Sequence, residues 1–504
     1  MATTFARLFE KLNKECGDLL KVLSFFDPEN IPVEMIVDGA KEWLRSQNEP
    51  SQLNNTISPL VLSEFRSLAT LIVSPIKFHT ALQKLQSLSL IERRSDSGNS
   101  SLWMHDLIEF MVQDAAKKEK TYREWLQLSV SLVCDAFGRI EDIKLPQWWG
   151  ECEKFIPHLR SLDQIWGDAN GINLELTRVN VRIAKYLYCR GRYDEAEAVN
   201  KRALASYENH WGADNQETLL SMNNLGRVYH LQGRYEEAER LHQQALAGRE
   251  KHLGPDHRDT LMSVHNLGRI YQLQGRYDEA ERHHQRALSG REKYVGTQHL
   301  DTLSSMSNLA AVYGSQGRYD DAEALLLRAV SGMEKHVGVD HPNTLTSLNN
   351  LALVYQLQGR CDEAESLHQR ALAERVKLLG VDHPSTLTSI DNLALVYESQ
   401  GRYDEAETLH QQALAGRKEH LRAGHPDTLT SVNNLARVYQ LQGRYDDAEV
   451  LHRRALAGRK ELLGANHPST LVSMENLAIV YKLQGRLDEA EALLQTVSAG
   501  KGAS

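Results

Sequence analysis

Leu231-Gln232-Gly233-Arg234-Tyr235 decides how this chain is read, because the sequence writes it again and again. The Gly-Arg pair recurs at Gly191, Gly233, Gly275, Gly317, Gly359, Gly401, Gly443 and Gly485, each step being 42 residues (233 − 191 = 42, and so on to 485 − 443 = 42). A fixed period of this size marks a solenoid of stacked units, each burying its face against its neighbours. The repeat reads as two helices. The first runs from Thr260 to Tyr271, with Leu261, Val264, Leu267 and Tyr271 at helical spacing. Gly275 stands where that helix stops, because glycine enters the left-handed conformation without steric cost. Asp278 is then expected to start the second helix, with Glu281 three residues on completing a capping box. The second helix places Ala280, His284, Ala287 and Leu288 on one face and ends at Gly296. The fold class is all-α, an α-solenoid of tandem helical hairpins.

The bulk numbers fit this reading. A chain of 504 residues is too long for one core, yet a solenoid needs none. Apolar content of 41% and charged content of 25% are those of an ordinary soluble protein. The net charge of −9 argues against a nucleic-acid partner. Five scattered cysteines without a CxxC pair point to a reducing compartment and to no metal site. The first residues lack an apolar signal core and no run approaches the length of a membrane span. The expected location is the cytoplasm, with no membrane and no cofactor.

The pattern Asn-Leu-Ala-x-Val-Tyr-x-x-Gln-Gly-Arg-Tyr-Asp-Glu-Ala-Glu, followed by Ala-Leu and Asp-His-Pro, resembles the long tetratricopeptide repeats of kinesin light chains. Leu225, Gly226 and Tyr229 on the first helix, and Ala238 and Ala245 on the second, match that family's packing positions. The resemblance covers residues 177–499, eight units forming a superhelix. Kinesin light chains also carry an N-terminal heptad coiled coil; residues 1–120 show no sustained heptads, so a motor subunit is not indicated.

Residues 5–118 read as a separate domain. Leu19–Phe26 is an apolar helix end stopped by Asp27-Pro28, and Pro32 begins a helix through Met35, Ile36 and Ala40. Ser46–Thr56 reads as a polar loop insertion. Leu82, Leu85 and Leu88 mark a further helix. Ser89–Arg94 and Ser101–Met104 then flank Asp96-Ser97-Gly98-Asn99 as a hairpin. Leu23–Pro32 and Met104-His105-Asp106-Leu107 resemble the winged-helix module of NB-ARC-type signalling NTPases (the STAND class). In that family a Met-His-Asp motif closes over nucleotide, so Met104, His105 and Asp106 are here a vestigial nucleotide-sensing motif. No GxxxxGK[ST] loop occurs anywhere, and the nucleotide engine is absent. Residues 120–176 read as a helical adaptor. The first repeat is degenerate, with Arg182 and Leu187 where later units carry Asn and Tyr. The last hairpin has no capping helix after it, and Leu493 and Leu494 are expected to face outward. That end is read as sticky, as covered by a partner, or as the edge of a fragment.

Comparison among the repeats picks out the candidate site. Asn224, Asn266, Asn308, Asn350, Asn392, Asn434 and Asn476 hold one position, and in the resembling family that helix face lines a concave groove. An Asn there can clamp the backbone of an extended peptide, or it can form a ladder of bonds between adjacent helices. One residue earlier the chain varies, through Asn223, His265, Asn349 and Asn433 among others. Three residues later it varies again, through Arg227, Arg269, Leu353, Leu395 and Arg437. Both variable columns are expected to face the groove. Arg227 and Arg269 would fork onto a carboxylate, and Leu353 and Leu395 would seat an apolar anchor; solvated arginines are the plain alternative.

The Asp-His-Pro histidines, His257 to His467, recur once per unit, roughly 16–20 Å apart, too far to share a metal. A local backbone bond suits them better. Carboxylates in Tyr-Asp-Glu-Ala-Glu recur in every unit, where helix capping explains them and catalysis does not. Three functions are weighed. The first is a scaffold holding a protein or peptide in the concave groove, with possible association through the uncapped C-terminal helix. The second is a split part of a STAND-type signalling NTPase. The third is a winged-helix DNA regulator, whose reading helix near His79–Ser87 offers few phosphate contacts.

Overall fold

The structure, a computed structural model, describes residues 9, 11–46, 57–96, 99–143, 146–168, 172–421 and 423–502. Of the expected loop Ser46–Thr56, Ser46 is helical and the rest lies outside the described residues, as does the hairpin tip at Ser97 and Gly98. The chain divides into two compact bodies, Met1–Cys189 with Val199–His210, and Arg190–Ala198 with Trp211–Ser504.

The first body begins α1 (Lys14–Leu23), β1 (Ile31–Pro32), α2 (Val33–Ser46), α3 (Pro59–Val73) and α4 (Pro75–Ser87). β2 (Glu92–Asp96), β3 (Asn99–Trp103) and α5 (Asp106–Lys117) follow. The expected hairpin is present, and β1 joins it to make an antiparallel sheet of order β1-β3-β2. Pro32 sits on an edge strand, where its missing N–H costs no ladder bond. The sequence reading assigned no element to residues 59–73, a helix in the structure. One apolar run becomes two helices because Pro75 drives Ser74 out of helical geometry, to φ −83° and ψ 109°.

α6 (Tyr122–Gly138) and α7 (Trp149–Asp168) follow in the same body. α6 packs on α2, and the ring chain Trp43–Phe65–Trp125 stacks edge to face at 4.8 and 5.8 Å. Gly39 is required at this crossing, since a β-carbon there would meet the Leu132 carbonyl. The expected break between 118 and 120 is therefore not a break in packing.

The repeats are α8–α9 (Leu174–Cys189, Tyr193–Trp211), α10–α11 (Gln216–Leu231, Tyr235–Leu253), α12–α13 (Arg258–Leu273, Tyr277–Val295) and α14–α15 (Leu300–Ser315, Tyr319–Val337). They continue as α16–α17 (Pro342–Leu357, Cys361–Leu379), α18–α19 (Pro384–Ser399, Tyr403–His420), α20–α21 (Pro426–Leu441, Tyr445–Leu463) and α22–α23 (Pro468–Leu483, Leu487–Gly502). Leu261, Val264, Leu267, Tyr271, Ala280, His284 and Ala287 are buried, as the 3.6-residue period requires. Gly275 has φ +78°, the left-handed stop expected of it.

The capping box is not formed. α13 starts at Tyr277 behind Arg276, whose side chain does not cap. Arg276 instead bonds Glu279 in its own repeat and Glu239 in the one before, and lies 4.2 Å over the Tyr271 ring. The same clasp recurs, for example at Arg360 with Glu363, Glu323 and Tyr355. The Gly-Arg motif thus stops one helix with its glycine and ties two repeats together with its arginine. Successive first helices pack on one another more closely than successive second helices do. The array therefore curves with its first helices on the concave side.

Candidate functional site

The invariant Asn column lies on the first helices and binds sideways. Asn266 Nδ2 donates to Asn223 Oδ1 at 3.0 Å, Asn476 to Asn433 Oδ1 at 3.3 Å, and Asn350 to Ser307 Oγ at 3.3 Å. Asn308 turns back to the Ser304 carbonyl at 2.7 Å. Asn224 and Asn392 are half-buried, and Asn434 is buried. Asn266, Asn350 and Asn476 thus bond the preceding first helix.

The column one residue earlier does not face the groove, contrary to expectation. Asn223, Asn349 and Asn433 are buried, with Oδ1 atoms 2.9, 3.0 and 3.1 Å from Nδ1 of His242, His368 and His452 on the second helix. His265, half-buried, meets the His284 ring edge-on at 5.2 Å. At about 100° per residue, a one-residue step from the Asn column turns a side chain from the concave face into the hairpin. Variation here is repacking between the two helices.

The column three residues after the Asn stays at the surface. Leu353 is 41% exposed, while Leu395, Arg227 and Arg269 are half-buried. The sequence reading missed a further column in line with the Asn, seven residues on, which includes Leu357, Leu441 and Leu483 at 43–48% exposure. Its signal was present: leucine at an i+7 position of the concave stripe, left exposed at the end of an otherwise buried helix.

Burial, reinforced by Arg227, Arg249 and Arg269, holds His242 down to about 3; burial and Arg269 do the same to His284. His368 and His452 are lowered to about 4, chiefly by burial. These rings are neutral near pH 7. Repeat 6 departs from the rest. His410, fully buried, places Nδ1 2.7 Å from Asp391 Oδ1 and Nε2 2.8 Å from Glu398 Oε1. Asp391 also accepts from Ser431 at 2.6 Å and pairs with Arg417, while Glu398 accepts from Arg437 Nε at 2.7 Å. Burial opposes the His410 charge, but the bonds to the two carboxylates outweigh it and raise the ring above its ordinary value. The sequence signal for this cluster was Asp391, in a column that holds Asn in three other repeats, together with Glu398, in a column that holds Gln in three others. Arg437 is therefore engaged by an internal carboxylate.

Met104 is buried and its N–H bonds the Pro28 carbonyl at 2.9 Å. His105 caps α5, its Nδ1 accepting from Leu107 N–H at 3.1 Å, and Asp106 lies in that helix's first turn. The turn histidines do the same work, as at His257, which accepts from Asp259 N–H at 3.2 Å. Leu493 and Leu494 do not face outward: they are half-buried against Leu477, Ala478 and Tyr481 of their own hairpin, Leu494 standing where other repeats place the buried histidine. Among the described residues, no group of three or more His, Cys, Asp or Glu is placed to hold a metal. No single described helix is long and apolar enough to cross a membrane.

Tetratricopeptide-repeat models match residues 253–335, 337–419 and 427–501, residues 182–217 and 218–259, and residues 392–461. A domain of unknown function (DUF7779) matches residues 8–121. No curated protein matches the sequence. The repeats of a Podosopora anserina putative kinesin light chain are 35% identical, with 41% of this chain and 97% of that one covered and a TM-score of 0.34. The BtubC protein of P. vanneervenii is 21% identical over 45% of this chain and 91% of its own, at a TM-score of 0.36. A STAND protein with a tetratricopeptide-repeat sensor from Pyrococcus horikoshii is 15% identical; 99% of this chain and 64% of that one are covered, at a TM-score of 0.51. The chain belongs to the tetratricopeptide-repeat proteins. As such an array it is a protein-interaction scaffold.

Proposed function

We propose that the array holds an extended segment of a partner protein along its concave stripe. The observation that carries this reading is the contrast between a fixed Asn column and the variable, partly exposed columns beside it. Three and seven residues after the Asn, the chain places Arg227 and Arg269 in two consecutive repeats, then Leu353, Leu357 and Leu395 further along. A segment with a carboxylate toward repeats 2 and 3 and an apolar side chain toward repeats 5 and 6 fits that order. Asn350 and its equivalents hold the helices in register and present their remaining polar capacity to the segment's backbone. The test is binding of an acidic–apolar peptide library to the full chain and to Leu353→Glu. Selection of the same peptides by both would remove the reading.

A second reading is supported by the first body. Its helix, strand, helices and hairpin follow the order of a winged helix, and residues 5–118, 120–176 and 177–499 would then be winged helix, adaptor and sensor of a STAND-type switch. The likeness of fold along the chain to the Pyrococcus horikoshii protein favours it. The chain lacks a phosphate loop, so the nucleotide-binding part would come from elsewhere. A rise in melting temperature with ATP or ADP would contradict this division of labour, since His105 is here a helix cap.

A further inference from the structure

The second body touches itself. His425 Nε2 contacts the Leu231 carbonyl, and His467 Nε2 lies 2.8 Å from the Leu273 carbonyl. Both spans are 194 residues (425 − 231 and 467 − 273), between four and five repeats. The same rungs stack His425 on Tyr193 and His467 on Tyr235, at 6.1 and 6.3 Å between ring centres. Proline rings complete them: a β-carbon on Gly191 would stand 2.9 Å from Pro384, and Gly233 and Gly275 face Pro426 and Pro468 as closely. Three consecutive His-Pro turns thus dock on three consecutive Gly-Arg turns, one superhelical turn below. The equivalent β-carbons on Gly359, Gly401, Gly443 and Gly485 would meet nothing within 4 Å.

The two histidines are prepared for this contact. Each Nδ1 accepts the N–H that caps its own helix, from Asp427 or Ser469, at 3.1 Å. That fixes the neutral tautomer with the proton on Nε2, which then donates to the carbonyl across the seam. Among the described residues the turns of repeats 3 and 4 show no such bond and carry Arg258 and Leu300 in place of proline, whereas the turn of repeat 5, also outside the seam, carries Pro342. The contact is also shallow. A cavity of about 680 Å³ remains in it, lined by Tyr193, Arg234, Leu421, His425 and Leu462 among others.

We propose that this seam is a releasable clip, which closes the slot between two turns of the superhelix and so controls sideways entry to the concave face. Clipped, the inner face is reached from the ends of the superhelix. Released, repeats 6–8 part from repeats 1–3 while every hairpin stays folded, because neighbouring repeats are held by the arginine clasps and not by the seam. Groups facing His425 are Tyr193, Asp194, Leu231, Arg417 and Asp427; those facing His467 are Tyr235, Leu273, Arg459 and Ser469. Burial makes both rings resist protonation, so acid works against the clip.

The test is small-angle scattering and hydrogen exchange on the full chain carrying His425→Asn with His467→Asn. Asparagine keeps the cap, as Asn215 does for α10 at 2.9 Å, but is too short to cross the seam. The matched control is His257→Asn with His299→Asn, two turns that cap without a seam. The seam pair is expected to raise the largest dimension and to cost residues 231–235 and 273–277 roughly tenfold in protection, the scale of a few lost bonds, with unchanged helicity. The control is expected to superpose on the unmodified chain. Gly275→Asn against Gly359→Asn repeats the comparison with bulk in place of a lost bond, at equal backbone strain. Scattering curves that coincide for seam and control variants would overturn the proposal, and so would a seam pair that loses helicity while its control does not. No ligand is needed, so failure here leaves groove binding untouched.

Discussion

Replacing Asp391 by alanine takes the carboxylate from buried Arg417 and leaves buried His410 with Glu398 alone. The side chains of His410, Asp391, Glu398 and Arg417 are 0%, 5%, 4% and 4% exposed, so water cannot replace the lost carboxylate. Breaking a buried pair by removing one partner costs about 3–5 kcal/mol. At about 1.4 kcal/mol per tenfold, that is roughly two to three and a half decades in an opening equilibrium. Because the cluster joins α18 to α19 and α20, the loss is centred on repeats 6 and 7. Native-state hydrogen exchange read by mass spectrometry should show it in peptides from 384–441, with 300–337 unaffected. Asp391→Asn is expected to cost far less, since Asn349 and Asn433 accept the same histidine contact in repeats 5 and 7. The pH sign also follows. His410 is raised in the folded array, so its stabilisation is complete below about 6.5, the unfolded value, and is lost as pH rises through the folded one. Asp391→Asn with Glu398→Gln should abolish that trend. Exchange in Asp391→Ala within threefold of the unmodified chain would refute the reasoning.

Other outcomes follow from the same geometry. His284→Leu is expected to be neutral or stabilising by about 1–2 kcal/mol, because both ring nitrogens are buried without partners and Leu326 fills the equivalent place in repeat 4; thermal denaturation reads it. Since His242, His284, His368 and His452 are depressed to about 3 or 4, their stabilisation is present above about 6.5 and lost as pH falls below it, about 2 kcal/mol each at pH 5. The melting temperature should therefore fall from pH 6.5 to 5, and less steeply in His284→Leu. Arg360→Ala removes two partly exposed ion pairs and the Tyr355 stack at the junction of repeats 4 and 5, and is expected to show as a local loss of exchange protection there. His105→Ala should cost about 1 kcal/mol of first-body stability in urea titration, while His105→Asn, which still caps, should cost little.

The hairpins were legible because the two signals that define them are local. The period of Leu261, Val264 and Leu267 marks the buried face, and Gly275 marks the stop. What repeats do to one another was less legible. Arg276 looked like the residue before a capping box, yet its partners lie 3 and 37 residues away, and only stacking brings Glu239 to it. The column one residue before the Asn was misplaced for a geometric reason: a step of one residue separates Asn266, which faces the neighbouring repeat, from His265, which faces its own second helix. The helix at 59–73 was hidden because it is apolar on most of its surface and merges in the sequence with the next one. The seam depends on the superhelical pitch, which no single repeat encodes; proline in the later turns was its faint trace.

The most direct test of the concave stripe as the binding surface is affinity capture by the full chain and two variants of equal helicity. Leu353→Glu places a charge on the stripe, at a site 41% exposed, and Val376→Glu places the same charge on a second helix at the same exposure. Partners recovered with the unmodified chain and with Val376→Glu, but lost with Leu353→Glu, are the predicted result. Equal recovery by all three would contradict the account and move the binding surface off the first helices.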